Sequence, residues 1–145
     1  MPARSLNDVV FVFDENLMGL AKGLTQLRND AAVFGDITLD RVIPCGTLDA
    51  DWIAEAGGRG WIVITNDRRL RTRPLEAPAA IAHELTVVHL HGAVGSQRPW
   101  QQAERLLVHW QKVELQVSTT PRGPWWLSLE SKRVRTLPFQ PGLAR

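Results

Sequence analysis

The sequence predicts a three-layer α/β/α sandwich with a mainly parallel sheet. Residues 9–16 (VVFVFDEN) begin with an unbroken apolar run and end in polar residues, and residues 60–65 (GWIVIT) repeat this pattern before Asn66-Asp67. Strands covered on both faces have such continuous apolar sequences, because neither side of the sheet meets water. Segments with helical spacing of apolar residues separate the strands, and this alternation is typical of α/β folds.

The first half of the chain supplies two predicted helices around a short strand. Leucines at helical spacing in residues 17–27 predict an amphipathic crossover helix with Asn16 as its N-cap. Residues 31–34 are apolar and predict a strand. Residues 47–56 predict a second helix, which buries Trp52, Ile53 and Ala56 and ends at the stop signal Gly57-Gly58.

The second half predicts a strand, a long helix and a strand pair. Thr86–Leu90 is a short β-branched run, and Pro99 begins a helix whose apolar residues continue at helical spacing to Val113. Trp125–Leu129 and Val134–Leu137 predict two short strands around a polar turn. We therefore expect one domain over residues 1–145, with a core at about 9–115 and a C-terminal β-hairpin extension at about 124–139.

The composition is that of an ordinary globular protein, with 44% hydrophobic and 22% charged residues. The longest apolar runs are far shorter than the roughly 20 residues of a membrane span, and no apolar signal core follows the first basic residue. The single cysteine, Cys45, cannot form an internal disulfide and suits a reducing compartment. These features predict a cytoplasmic location.

Charge is divided unequally along the chain. Residues 1–58 carry nine acids against four bases, while residues 59–145 carry thirteen bases against six acids. This division is typical of a protein that gathers carboxylates at one place and offers cations to a polyanion beside it, although solvated helix faces give similar totals.

Three aspartates follow elements of the predicted sheet. Asp14 and Asp67 end strands and Asp49 begins a helix. The carboxyl ends of parallel strands meet at one edge, where α/β folds bind ligands. Converging carboxylates repel one another unless a cation neutralises them, and oxygen ligands favour Mg²⁺ or Mn²⁺. The alternatives are a turn-starting role for Asp14 and a helix cap for Asp49.

Four arginines lie within six residues after Asp67. They are well suited to pair with the phosphates of a nucleic acid, because guanidinium groups bind phosphate through two hydrogen bonds. A solvated helix face is the alternative. The four residues are Arg68, Arg69, Arg71 and Arg73.

Three motifs occur in order along the chain: Asp14-x-Asn16 after an apolar strand, Asp49-x-x-Trp52-Ile53 at a helix start, and Gly-Trp-Ile-Val-Ile-Thr65-Asn66-Asp67 before arginines. Together they resemble the PIN-like ribonucleases, and within that group the VapC-type toxins of bacterial toxin–antitoxin pairs. The resemblance covers roughly residues 9–115.

The resemblance implies endonucleolytic cleavage of RNA with Mg²⁺ or Mn²⁺, and a DNA-binding antitoxin that covers the site. By matching position, Asp14, Asp49 and Asp67 would be the catalytic, metal-binding acids. Asn16 and Thr65 would support them through hydrogen bonds.

The chain departs from the family pattern in one respect. Typical PIN nucleases have a fourth acid shortly after the third, and here Arg69 and Arg71 occupy that region, which puts a two-metal site in doubt. Asp51 is an alternative to Asp49 as the second acid. A PIN-like binding module without efficient catalysis is the alternative function.

Other residues allow further readings. His89 and His91 share one face of a strand end and could form a metal pair, although no third ligand is near in sequence. Because neighbouring residues of a strand point to opposite faces, we expect one of the adjacent Trp125 and Trp126 to point away from the core. Such a residue would mark a partner surface or a homodimer interface.

Unrelated Mg²⁺-binding and nucleotide-binding classes fit less well. A phosphoacceptor receiver domain needs a Lys where Leu90-His91-Gly92 ends the strand. A haloacid-dehalogenase-type phosphatase needs an Asp at the position of Asn16. A dinucleotide-binding module needs a glycine-rich turn after the first strand, and DENLMGL is not one.

Overall fold

A computed structural model describes residues 5–35, 43, 46–92 and 98–142. These residues build a six-stranded sheet in the order β2-β1-β3-β4-β5-β6. The first five strands are parallel and β6 is antiparallel to β5. The strands are β1 (Phe11–Phe13), β2 (Ala31–Val33), β3 (Ile62–Thr65), β4 (Thr86–Leu90), β5 (Trp125–Leu129) and β6 (Val134–Leu137).

Helices cover both faces of the sheet. Side chains of α1 (Met18–Leu27), α4 (Pro99–Val108) and α5 (Trp110–Thr119) join one apolar core. Side chains of α2 (Asp49–Arg59) and α3 (Glu76–Ala82) join a second core on the opposite face. The predicted three-layer α/β/α sandwich with a mainly parallel sheet is therefore confirmed.

The continuous apolar strand sequences follow from this double cover. In β1, Phe13 enters the first core and Val12 the second, and both are buried. Burying a large apolar side chain contributes roughly 1.5–3 kcal/mol, so both faces of each central strand stabilise the fold. The tryptophans of β5 divide in the same way, with Trp125 (5% exposed) in the first core and Trp126 (1% exposed) in the second. The expectation that one of them points outward is wrong, and it no longer supports a dimer surface.

The order in which strands are added to the sheet reverses beside β1. The connection from β1 leads to β2 on one side, and the next connection returns to β3 on the other side. A crevice opens outside the carboxyl ends of two strands at such a switch point. Asp14 and Asp67 follow these two strands.

The structure corrects both predicted helix boundaries in the first half. A short 3-10 helix, Glu15–Leu17, precedes α1, so Leu17 rather than Asn16 is the N-cap residue, and Leu27 is 78% exposed. The α2 helix continues through Gly57-Gly58 to Arg59. Its C-cap is Gly60, whose φ of 71° is the left-handed conformation that glycine adopts easily. The burial of Trp52, Ile53 and Ala56 is confirmed.

The predicted long helix after Pro99 is two helices. The break lies at His109, whose Nε2 is 2.6 Å from the carbonyl oxygen of Glu130. Leu107, which follows the helical spacing of apolar residues after Pro99, is 56% exposed rather than buried. The α3 helix was not predicted from the sequence.

The two C-terminal strands form the expected antiparallel hairpin, and β5 also pairs in parallel with β4. The hairpin thus continues the main sheet rather than extending from it. Within the described ranges, no helix is both long and apolar enough to cross a membrane. Cys45 lies outside these ranges.

Candidate active site

Asp14 and Asp67 lie side by side at the switch point of the sheet. Their strands are hydrogen-bonded neighbours, and the Asp14 amide donates to the Ile64 carbonyl at 3.0 Å. Both aspartates line one cavity of about 110 Å³, and Asp49 lines the same cavity from the first turn of α2. The structure therefore brings together the three acids that the sequence singles out.

Thr65 connects two of these acids. Its Oγ1 donates to Asp14 Oδ2 at 2.9 Å and accepts from the Asp67 amide at 3.1 Å. The Thr65 side chain is buried at the end of β3. The hydroxyl thus orients the Asp14 carboxylate and the backbone that carries Asp67.

Burial raises the pKa of the Asp14 carboxyl. Hydrogen bonds from the Asn16 amide and the Thr65 hydroxyl act in the opposite direction, while the charges of Asp67 and Glu15 raise the pKa further. The ionised form of Asp14 is therefore held where it is poorly solvated and faces other negative charge. A cation bound in the cavity would favour that ionised form.

Asp49 is held by two donors. Its Oδ1 accepts from Trp52 Nε1 at 2.9 Å, and its Oδ2 is 3.4 Å from a guanidinium nitrogen of Arg73. The same Arg73 nitrogen is 3.9 Å from Asp67 Oδ2. Arg73 therefore bridges two of the three acids.

Asn16 and Asp51, the other polar residues near these acids in sequence, are both exposed. Asn16 is exposed, and its backbone amide, at 3.2 Å from Asp14 Oδ1, makes the contact with Asp14. Asp51 is exposed on α2 and, among the described residues, is not part of the cavity lining. Asp49 thus faces the other acids and Asp51 faces solvent.

The structure separates the four arginines that follow Asp67. Arg68 is exposed, and Arg69 pairs with Asp67 at 3.3 Å. Arg71 instead donates to the carbonyl of Pro138 at 2.7 Å and holds the segment after β6 against the 3-10 helix Arg68–Arg71. Together with the position of Arg73, this leaves Arg68 and Arg69 as the two that face open solvent beside the acids.

A second cavity of about 460 Å³ adjoins the first, and the two share Asn16 and Asp67. Its lining includes Arg68, His89 and His91. The sequence marks the histidines only as a metal pair, but their ring centroids are 6.3 Å apart and His89 is 4% exposed. Their place in a cavity beside the acids was not predicted. Their position at the carboxyl end of a strand could have indicated it, because that strand lies next to β3.

The three carboxylates fit a divalent cation in their chemistry, and they line one cavity. Carboxylate oxygens are the ligands that Mg²⁺ and Mn²⁺ prefer, and Mg²⁺ needs only a few of them because it retains several waters. Among the described residues, however, no group of three acidic, histidine or cysteine side chains is already close enough to hold an ion. Arg73 supplies positive charge between Asp49 and Asp67 instead.

The model of one protein family, the PIN like domain, matches residues 9–92. The chain belongs to the PIN-like domain family. The match runs from just before β1 to just after β4 and includes Asp14, Asp49 and Asp67. PIN domains are generally nucleases, and they typically use divalent metals. No curated protein and no solved structure matches the chain.

Proposed function

We propose that this protein is a metal-dependent endoribonuclease that hydrolyses RNA phosphodiester bonds. The observation that carries the proposal is the meeting of Asp14, Asp49 and Asp67 in one cavity at the switch point of a PIN-like sheet. The acids come from β1, α2 and β3, so their convergence is a property of the fold rather than of one acidic loop.

Asp14, Asp49 and Asp67 would hold Mg²⁺ or Mn²⁺. Such an ion supplies an activated water and stabilises the oxygen that leaves phosphorus. Thr65 keeps the Asp14 carboxylate directed into the cavity through its hydroxyl. The buried surroundings of Asp14 limit competition from solvent, which strengthens every charge interaction at this place.

Arg68 and Arg69 would position the RNA backbone. Both side chains are exposed at the rim of the cavities. Their contacts to phosphate would orient the chain without reading its sequence. Arg71 and Arg73 contribute less to RNA binding under this proposal. The guanidinium group of Arg71 donates to the Pro138 carbonyl, and that of Arg73 pairs with Asp49.

The biological role that we propose is the toxin of a type II toxin–antitoxin pair, acting on RNA in the cytoplasm. A DNA-binding antitoxin would cover the acids until it is removed. The support is the resemblance of the motifs in residues 9–67 to VapC-type toxins.

Cleavage of single-stranded and structured RNA by the purified protein tests the nuclease function. We expect cleavage with Mg²⁺ or Mn²⁺, none with chelator, and a loss of about 100-fold or more in Asp14→Asn and Asp67→Asn. Asp51→Asn is the matched control, since it removes an exposed acid from the same helix as Asp49. Full activity in Asp14→Asn or Asp67→Asn, or cleavage that resists chelator, would refute the mechanism.

Growth of bacteria that express the protein tests the toxin role. We expect growth arrest by the wild type and none by Asp67→Asn, and we expect a small DNA-binding protein, where one is encoded beside this gene, to rescue growth on co-expression. Normal growth with active enzyme in the cells would remove the toxin role and leave the nuclease function standing.

A PIN-like binding module is the second candidate. The bridge that Arg73 forms between Asp49 and Asp67 favours it, because a fixed cation there opposes binding of a metal ion. RNA binding without cleavage of any RNA, at any metal concentration, would decide for this function.

A further inference from the structure

The second cavity has the volume of a ligand site and a polar lining. Its volume of about 460 Å³ lies within the usual range for sites that bind small molecules. Its polar groups come from the 3-10 helix Arg68–Arg71 and from the end of β4. It shares Asp67 with the acid cavity, so a ligand here would lie beside that acid.

One residue that lines this cavity has a buried polar atom without a partner among the described residues. His89 is 4% exposed, and in the part of the chain that the structure describes its Nε2 makes no hydrogen bond. The other ring nitrogen bonds the backbone of Asn66, and the ring lies against Trp126 with centroids 4.9 Å apart. A buried polar atom without a hydrogen bond destabilises the fold, so its retention in a residue that lines a cavity points to a ligand.

The chemistry of that atom selects the kind of ligand group. Burial lowers the pKa of His89 to about 4, so the ring is neutral at pH 7. With Nδ1 donating to the Asn66 carbonyl, Nε2 is an acceptor and requires a donor. A ribose 2′-hydroxyl is such a donor, and it distinguishes RNA from DNA.

The rim of the cavity offers positive charge without a partner. Within the described residues Arg68 makes no hydrogen bond or ion pair, although Arg69 beside it pairs with Asp67. The end of β4 is held rigidly, because the His91 amide donates to the Leu129 carbonyl at 3.1 Å and Arg105 donates to the His91 carbonyl at 3.0 Å. A guanidinium without an ion pair, beside an imidazole whose backbone is held in place, can donate hydrogen bonds to a phosphate.

We propose that the second cavity is a ribonucleotide subsite, where Arg68 and His91 bind a backbone phosphate and His89 Nε2 accepts from the ribose 2′-hydroxyl. The subsite would hold the nucleotide next to the bond that is cleaved, because Asp67 belongs to both cavities. The proposal rests on the proposed nuclease function only for this placement along the RNA.

Titration of the metal-free full chain with adenosine 5′-monophosphate, followed by NMR of the backbone amides, tests the subsite. A mononucleotide has no phosphodiester bond to hydrolyse, so its binding does not depend on whether the protein is a nuclease. We expect shifts at Asn66 and Gly92. The dissociation constant should rise about tenfold in Arg68→Ala and about fivefold for the 2′-deoxy analogue.

Two matched controls lie at the opposite edge of the sheet. Arg122 is exposed beside Glu84, and His83 is exposed before β4, so Arg122→Ala and His83→Ala remove the same groups far from the cavity. Both should bind like the wild type, while His91→Ala should bind more weakly. No binding, equal binding by Arg68→Ala and Arg122→Ala, or equal binding of the 2′-deoxy analogue would overturn the proposal. The test does not require a variant of the buried His89, such as His89→Leu, which could fail to fold. Arg68 and His91 are exposed, so their substitution leaves the core intact.

Discussion

The two ends of the parallel strands differ in how completely their polar groups are satisfied. At the amino ends, charged side chains form pairs: Arg28 contacts Asp30 at 2.8 Å before β2, and Arg122 contacts Glu84 at 3.2 Å. The backbone is also closely packed there, since a Cβ on Gly123 would lie 2.2 Å from the Glu84 carbonyl oxygen. This edge holds the fold together.

The carboxyl ends of β1, β3 and β4 show the opposite condition. Asp14 has a raised pKa, His89 Nε2 has no partner among the described residues, and the exposed Arg68 makes no ion pair there. Burial of the Asp14 carboxyl and of the unpartnered His89 Nε2 reduces the free energy of unfolding, and such groups are typical of functional sites. The comparison thus marks the carboxyl edge as the side of the sheet where we expect ligand binding.

The largest effect is expected from crowding the amino edge. A Cβ on Gly57 would lie 2.3 Å from the backbone oxygen of His83, so Gly57→Ala must push α2 away from the residue after α3. We expect a loss of about 3 kcal/mol and a fall of about 8 °C in Tm. Gly58→Ala, where a Cβ meets nothing within 4 Å, should be neutral or stabilising. Equal Tm values for the two variants in calorimetry would contradict the packing.

The buried His89 should make stability depend on pH. Its pKa is lowered from 6.5 to about 4 in the folded protein by burial, and it faces His91, Asp67 and Arg71. The unfolded chain therefore takes up a proton first as the pH falls, and the free energy of unfolding decreases between pH 6.5 and pH 4. Urea unfolding should show a loss of about 2 kcal/mol more in the wild type than in His89→Leu. The same pH dependence in both proteins would contradict the burial of a neutral ring.

Removal of Arg73 should improve metal binding. Its guanidinium group bridges Asp49 and Asp67, so its charge opposes a cation at the same carboxylates. In Arg73→Gln we expect about fivefold tighter binding of Mn²⁺ in isothermal titration calorimetry, with Arg122→Gln unchanged. Weaker binding in Arg73→Gln would mean that this residue assembles the acids rather than competing with the ion.

A small gain in stability is expected at the carboxyl edge. Burial raises the pKa of Asp14, so its ionised form destabilises the fold at neutral pH. Asp14→Asn should raise Tm by about 2 °C at pH 7, and the gain should disappear at acid pH where Asp14 is protonated. Asp8→Asn, at an exposed acid, is the control. A lower Tm in Asp14→Asn would show that the carboxylate stabilises the fold.

The sequence was sufficient for the layered fold because continuous apolar strands leave no uncovered face. It also placed Asp14 and Asp67 at one edge, since parallel strands share a direction. It could not predict that both Trp125 and Trp126 are buried, because this follows from the pairing of β5 with β4, a contact between residues distant in sequence. The helix break at His109 could not be predicted for the same reason, because the His109 ring bonds the backbone of Glu130, which is distant in sequence.

The division of the arginines was also beyond the sequence. Arg68 and Arg71 look alike in a basic run, yet only the return of the C-terminal segment gives Arg71 the carbonyl of Pro138. Arg73 meets Asp49 only because α2 begins beside the 3-10 helix after β3. Local patterns report which groups are present, and tertiary contacts decide which of them remain available to a ligand.

Binding of Mn²⁺ to the purified protein tests the central claim, that Asp14, Asp49 and Asp67 share one divalent ion. We expect isothermal titration calorimetry to show binding by the wild type and by Asp51→Asn, and at least about tenfold weaker binding by Asp14→Asn, Asp49→Asn and Asp67→Asn. Wild-type affinity in all three of these variants, or no binding by the wild type, would contradict the claim.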